Sequence, residues 1–488
     1  MNKEYQPKRQ ADENQSEGLS RMRGRTFFAL LMAMRTRKTK VVLDDFGELE
    51  LKGEARDLLV VAPGGVYKTW AEAIKADFSN DLLARARVHV WSSSDSLSKL
   101  NRELKPFLEH AGPRVLLINA EALSSPGRAR NLVLHYLGQR SDRTYVAIDE
   151  STCIKNRSKR TKFIVDHVRP LARWRRILSG LSTPRSLMDV FWQWHFLDWK
   201  VLGFQQEITF KRHVAFTALR DFGGRMLTEI IDVEKGIRGF KPEAIEEVKE
   251  KIEPHSFRVE FRPKVPSEFS IREIEMTKQQ RVAYEEMKTF ATTALSQDSH
   301  VTATVVIAQI VRMHQILLGH VMDENGVEHV LPENRTEAVL DILRDHEGKA
   351  IVWCSYDHDV RKVSAAIAKE LEEPVARFWG GNLDTREEEE LRFRTDPGCR
   401  FMVATPDAGG KGRTWDVADL AVFYSNRDNL ELRDQAEQRT MGKDKERGVD
   451  NIDLVVKGTV DEKILHALRN KINLATTING DTWREWVV

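Results

Sequence analysis

The sequence predicts an α/β protein built from two parallel-sheet units around a mostly helical middle. Three observations carry that expectation. Short β-rich apolar runs alternate with helix-length segments from residue 27 to 178, the alternation stops near Phe216, and it resumes between residues 350 and 456. Alternation of this kind marks strands buried on both faces, with helices crossing between them. At 488 residues the chain also exceeds the roughly 250–300 residues at which single cores stop growing. More than one domain is required.

Taken in order, residues 1–18 lack apolar periodicity and are expected to form a mobile N-terminal tail. The runs at 27–34, 58–62, 88–91, 115–119, 145–148 and 176–178 read as strands of a first unit spanning 19–216. Residues 217–330 are charged and poor in strand runs, with helical stretches at 277–295 and 301–318, and are expected to be a helical insertion or linker. Runs at 350–354, 400–404, 421–424 and 452–456 rebuild the alternation in a second unit, 331–488.

Composition narrows the function classes. With 76 Lys+Arg against 74 Asp+Glu and a net charge of +2, a globally basic nucleic-acid coat is excluded, while local basic patches are not. The apolar run 27–34 falls well short of the ~20 residues needed to span a bilayer, and the polar, mixed-charge residues before it carry no signal-peptide pattern. Three distant cysteines, Cys153, Cys354 and Cys399, suit neither a disulfide framework nor a zinc site. The fourteen histidines show no ligand spacing, so no transition metal is expected. A reducing, cytoplasmic setting without membrane contact is the expectation.

Two segments carry chemistry. The run from Phe27 leads into Met34-Arg35-Thr36-Arg37-Lys38-Thr39 and then a helical stretch. Free N–H groups at a helix start attract phosphate, Lys38 adds a point charge, and Thr39 offers a hydroxyl to Mg²⁺. The loop lacks the glycines that usually let backbone amides approach phosphate. The run 145–148 ends in Asp149-Glu150, two acids at the C-terminal end of a strand, where ligands bind in open α/β sheets. One acid there can hold Mg²⁺ and its neighbour can orient or deprotonate a water.

Further pieces, in order, resemble superfamily 2 helicase-like ATPases. Leu59-Val-Val-Ala-Pro63 with Trp70 resembles motif Ia; Arg176-Ile-Leu-Ser-Gly180, followed by Thr183-Pro184, Leu187-Met-Asp189 and Gln193, resembles motif III and its sequel. Residues 350–355 resemble motif IV, 404–412 motif V, and Gln435-Ala-Glu-Gln-Arg439 the start of motif VI. Lys457-Gly-Thr-Val-Asp-Glu462, with motif V ahead of it, is similar to a tag of the Swi/Snf-type DNA translocase branch, particularly its short phage and prokaryotic members. The resemblance covers about residues 20–480.

That resemblance implies two RecA-like lobes (the P-loop NTPase fold), ATP and Mg²⁺ as cofactors, and double-stranded DNA as partner. It implies a DNA-dependent ATPase that translocates on duplex DNA, phage-encoded and acting in replication, repair or recombination. Position by position, residues 34–39 would cradle the nucleotide, Thr39 and Asp149 would hold Mg²⁺, and Glu150 would activate water. Gln435 and Arg439 would reach the nucleotide from the second lobe. Three departures favour the alternative of a degenerate scaffold that binds DNA or protein. Arg37 stands where the family has glycine, Leu181-Ser182 where it has Thr-Pro, and Gly442 where it has the arginine finger; Lys443 and Arg433 are the nearby cations.

Two basic clusters give the DNA expectation a second basis. Arg157, Lys159, Arg160 and Lys162 follow the acidic pair, and Arg173, Arg175 and Arg176 precede motif III. The first is read as a phosphate-contacting surface that does not read bases. Trp174, Trp353 and Trp415 are read as core.

Overall fold

The computed structural model of the protein describes residues 4–33, 36–64, 66–180, 187–221, 226–231, 239–260, 265–297, 303–322, 327–409, 415–427, 429–441, 445 and 447–470. The chain divides into two compact units, Met1–Arg262 and Pro263–Val488.

In the first unit the strands are β1 (Phe27–Met32), β2 (Asp57–Ala62), β3 (Arg87–Val90), β4 (Arg114–Asn119), β5 (Thr144–Ile148) and β6 (Trp174–Leu178). An antiparallel pair, β7 (Thr217–Asp221) and β8 (Met226–Ile230), stands apart from the main sheet, and β9 (Ser256–Val259) joins it. The sheet order is β3-β4-β2-β5-β6-β1-β9, and every pairing is parallel. Side chains alternate across a strand, so each apolar strand feeds two cores. Ala29, Leu59, Val61, Val146, Ile148 and Ile177 face one. Phe28, Leu30, Val60, Tyr145, Ala147 and Leu178 face the other. At about 1.5–3 kcal/mol per fully buried aliphatic side chain, this two-sided burial explains why the strands read as apolar runs.

The second unit contains β10 (Ser267–Glu273), an antiparallel pair β11 (His320–Met322) and β12 (Glu328–Val330), then β13 (Lys349–Trp353), β14 (Val375–Phe378), β15 (Phe401–Ala404), β16 (Ala418–Phe423) and β17 (Val449–Val455). Its sheet is also parallel, in the order β10-β17-β16-β13-β15-β14. The acidic-pair strand β5 and the motif V strand β15 therefore belong to different sheets. Both units are α/β, as the alternation predicts. Among the described residues no helix is long and apolar enough to cross a membrane.

Two expectations about segments are corrected. The described part of the expected mobile tail is held against the first unit. Arg9 pairs with Asp77 at 2.7 and 2.8 Å, the Tyr5 hydroxyl accepts from Ser79 N at 3.2 Å, and Lys8 reaches the Lys75 carbonyl. A helix, Glu13–Met22, starts on a capping box in which Asp12 and Gln15 satisfy each other's backbone N–H groups. The Tyr5 ring lies so close over Gly47 that a Cβ there would meet it at 2.2 Å, which accounts for a glycine inside the helix Lys38–Leu51. Anchors this sparse leave no apolar periodicity to read.

The expected middle, 217–330, is divided between the units. β9 extends the first sheet beside β1, and Ala244, Val248 and Ile252 of the helix Pro242–Ile252 enter the first core. β10 extends the second sheet beside β17, and the helices Lys278–Gln297 and Ala303–Leu317 pack on the second core through Tyr284, Ile310 and Met313. Both added strands are edge strands with polar sequences, SFRV and SEFSIRE, so neither shows an apolar run.

Candidate functional site

All strands of the first sheet point the same way, so the ends of β1, β2, β5 and β6 share one edge. From β1 the chain passes through Thr36 and Arg37 into the helix Lys38–Leu51. Arg37 turns that corner in the left-handed region (φ 55°, ψ 44°) with its side chain exposed. Thr36 ties the turn back to Ala33 through its Oγ1 at 2.7 Å, and Gln15 donates from Nε2 to the Thr36 carbonyl at 3.3 Å. Lys38, the first helical residue, is buried and its Nζ lies 3.1 Å from Glu150 Oε1. Thr39 follows it in the helix. Met34 and Arg35 lie outside the described residues.

At the end of β5, Asp149 is 3% exposed. Its Oδ1 accepts from Glu150 N at 2.9 Å, its Oδ2 accepts from Trp70 Nε1 at 2.9 Å, and its own N–H bonds the Val61 carbonyl. Glu150 also sits in the left-handed region (φ 45°), which turns the next residue, Ser151, toward Gln193 Oε1 at 2.5 Å. Lys38, Asp149 and Glu150 are thus brought together. Trp70 had a motif-level signal without its bond to Asp149. Gln15 was missed, and its only signal was the capping-box spacing from Asp12.

Burial pushes the Asp149 carboxyl up, Lys38 pulls it down, and the Glu150 charge pushes it up again. Among the described residues, Lys38 faces both acids in this buried corner. The Asp149 and Glu150 carboxylates are hard oxygens of the kind Mg²⁺ takes, as is a threonine hydroxyl such as that of Thr39, next to Lys38 in the helix. The residues fit the ion that the motif resemblance implies.

In the second unit, Gln435 and Arg439 lie on the helix Leu430–Thr440, and both are buried, Arg439 being 2% exposed. The Arg439 carbonyl accepts from Trp415 N at 2.8 Å. Arg433 is locked in place: Asp453 takes it at 2.5 and 3.1 Å, Asn426 and Glu437 accept at 2.6 Å, and Phe423 lies under its guanidinium at 3.3 Å. It is a structural arginine. Leu181, Ser182, Gly442 and Lys443 lie outside the described residues. Trp174, Trp353 and Trp415 are core, the last two stacked at 5.5 Å.

The first basic cluster divides. Arg157, Lys159 and Lys162 are exposed, around the short helix Lys159–Phe163 that Ser158 caps. Arg160 turns inward and donates from Nε and Nη2 to the Cys153 carbonyl at 3.1 and 2.7 Å, holding the turn after the acidic pair. The second cluster is mostly internal. Arg176 is fully buried and grips Asp45, which also accepts from the Tyr145 hydroxyl. Arg175 bonds the carbonyls of Leu197 and Ala172, and burial pulls its pKa down to about 10. Only Arg173 of that cluster is exposed.

Fold and site together define a class: an α/β chain of two parallel-sheet units, the first with a lysine and an acidic pair converging at its strand ends. No model of a known protein family matches the chain. It is 29% identical over 133 residues to TATA-binding protein-associated factor mot1 of Aspergillus fumigatus, a match covering 27% of this chain and 7% of that protein. It is 22% identical over 158 residues to TATA-binding protein-associated factor MOT1 of Saccharomyces cerevisiae, covering 32% of this chain and 8% of that protein. The matches thus span less than a tenth of these curated relatives. Among solved structures, the Sulfolobus solfataricus SWI2/SNF2 ATPase core in complex with dsDNA is similar over 99% of this chain and 96% of its own, at 20% identity and a TM-score of 0.41. The SWI2/SNF2 ATPase core domain of the same organism is similar over 99% and 93%, at the same identity and TM-score. These structures are of the Swi2/Snf2 kind that the motif order resembles.

Proposed function

We propose that the protein is a Mg²⁺- and ATP-dependent ATPase stimulated by double-stranded DNA, along which it translocates. The observation that carries the reading is the meeting of Lys38 with Glu150, beside Asp149, at the C-terminal edge of one parallel sheet. Phosphate oxygens entering at the start of the helix Lys38–Leu51 would take Lys38 from Glu150. Glu150, released from its ion pair, would then accept the proton of the water that attacks the γ-phosphate, giving ADP and phosphate. Asp149, oriented by Trp70, and Thr39 would hold Mg²⁺, which when bound neutralises charge on the phosphates. Gln435 and Arg439 are assigned to the nucleotide by motif resemblance, and Arg157, Lys159 and Lys162 to duplex phosphates by charge and exposure.

The test is steady-state ATP hydrolysis with and without duplex DNA. Wild type is expected to turn over faster with DNA. Glu150→Gln is expected to bind nucleotide but lose turnover by about 100-fold or more, and Lys38→Ala to weaken nucleotide binding at least about tenfold.

A second reading, a helicase-like scaffold that binds DNA or protein without hydrolysis, is favoured by Arg37, whose side chain stands at the phosphate corner. No turnover in wild type with Mg²⁺ and duplex DNA selects it.

A further inference from the structure

The helix Asp357–Glu370, which follows β13 in the second unit, begins beside the β11–β12 pair. There His320 of β11 meets His358 and Asp359 of the helix's first turn. His320 and Asp359 are buried, His358 is partly buried, and one ligand atom from each lies within 4.8 Å of the other two. Sequence spacing hid this group, because β12, the helix Arg335–Arg344 and β13 lie between His320 and the other two.

Three polar atoms there are shielded from solvent and have no hydrogen-bond partner among the described residues: His320 Nδ1, His358 Nε2 and Asp359 Oδ1. Such atoms are costly to leave unsatisfied, at roughly 1–3 kcal/mol each. Three converging on one point call for a shared partner. Direct pairing does not supply it, since His320 Nδ1 and Asp359 Oδ1 stand 3.7 Å apart, beyond hydrogen-bond range. Ligand atoms bound tetrahedrally to one zinc ion at ~2.0–2.2 Å lie about 3.4 Å from each other, so a small adjustment suffices.

The surroundings prepare the nitrogens as ligands. His358 Nδ1 lies 2.7 Å from Glu328 Oε1, which places the ring proton on Nδ1 and leaves the Nε2 lone pair facing the cluster. This is the carboxylate–histidine relay that orients metal-bound imidazoles. The His320 and His358 rings stack at 4.5 Å, an arrangement two imidazolium ions would resist. Lys362 is engaged elsewhere, by Glu333 at 3.0 Å and the Leu318 carbonyl at 2.7 Å.

We propose that His320, His358 and Asp359 bind one Zn²⁺ ion, with Glu328 as the positioning residue for His358, and that the ion staples the β11–β12 pair to the start of the helix Asp357–Glu370. Two imidazole nitrogens and one carboxylate oxygen select a divalent transition metal over Mg²⁺ or Ca²⁺. The site lies wholly within the second unit and is independent of the nucleotide chemistry proposed for the first.

The experiment uses untagged full-length protein, stripped with chelator and then loaded with Zn²⁺ or Co²⁺ in the presence of excess Mg²⁺. Wild type is expected to retain about one zinc per chain after gel filtration, to show the visible absorption of low-symmetry protein-bound Co²⁺, and to melt at a higher temperature with zinc than without. His320→Gln and Asp359→Asn are expected to lose the cobalt spectrum and weaken zinc binding at least tenfold, with circular dichroism reporting that they fold. Glu328→Gln is expected to keep the stoichiometry while weakening affinity about 10–100-fold. Folded wild type that retains no zinc and gives no cobalt spectrum would overturn the proposal. So would folded His320→Gln that binds zinc as wild type does, which would assign the metal to surface histidines.

Discussion

Arg37 and Glu150 flank the candidate site, and each holds its backbone at a positive φ, 55° and 45°. For a residue with a Cβ that region costs roughly 1–2 kcal/mol, and strain of this size persists where the surrounding structure enforces it. At position 37 the fold keeps the path that a glycine takes freely. Arg37→Gly is therefore expected to raise the thermal midpoint, by about 1 kcal/mol of stability, while Arg37→Val is expected to lower it. Calorimetry on the full chain checks both. The absent glycine was legible in the sequence. The left-handed backbone at Arg37 was not, because it depends on tertiary bonds: Gln15 to the Thr36 carbonyl and Thr36 to Ala33.

At the scale of elements, residues 457–462 show what a motif can conceal. Gly458 turns at φ 72° and Thr459 caps the helix Val460–Arg469. Asp461 accepts from Val456 N at 3.1 Å, lies 3.1 Å from His314 Nε2 and pairs with buried Arg335, which in turn donates to the carbonyls of Tyr424 and Leu454 at 2.6 and 2.9 Å. The segment is a clamp that ties three elements of the second unit. Burial raises the Asp461 carboxyl, but Arg335 and His314 outweigh it and hold the pKa at about 2. A carboxylate depressed on folding contributes stability above its unfolded pKa near 4 and loses it as pH falls through 2. Thermal midpoints followed downward from pH 5 are expected to fall in that window by on the order of 2 kcal/mol of stability. Asp461→Asn is expected to remove this component, and to cost about 3–5 kcal/mol at neutral pH by stranding Arg335.

The same scale governs the basic segment after the acidic pair. Charge reversal of Arg157, Lys159 and Lys162 is expected to weaken duplex binding alike on all sequences and to flatten its salt dependence by roughly one unit per lost phosphate contact. Arg160→Ala is expected to lower stability and leave that slope unchanged, since its guanidinium serves the Cys153 carbonyl. Titrations at two salt concentrations separate the two outcomes. Charge and spacing made the cluster visible in the sequence, but inward or outward direction is a property of packing. For that reason Arg160, Arg175 and Arg176 could not be told from their exposed neighbours.

For the whole molecule, the division near Arg262 predicts where the chain can be cut. A fragment ending at 262 keeps β9 and the helix Pro242–Ile252 over the first core and is expected to melt cooperatively. One ending at 216 loses both, bares the flank of β1 and is expected to aggregate. The alternating pattern made the two sheets legible because their inner strands are apolar on both faces. Edge strands β9 and β10 escaped, since an edge needs backbone pairing more than apolar side chains.

The placement of β1 has a consequence for the chain during its synthesis. β1 precedes the other described strands of its sheet in the chain, yet its partners are β6 and β9, which end at Leu178 and Val259. At ~5–20 residues per second, roughly 7–30 s separate the emergence of β1 from that of β6. Through that interval FFALLM is an uncharged, β-prone segment without a sheet to enter, the kind of window that nucleates aggregation. The strand that leads into the helix Lys38–Leu51 is therefore expected to wait longest for its partners while the rest of its sheet is made.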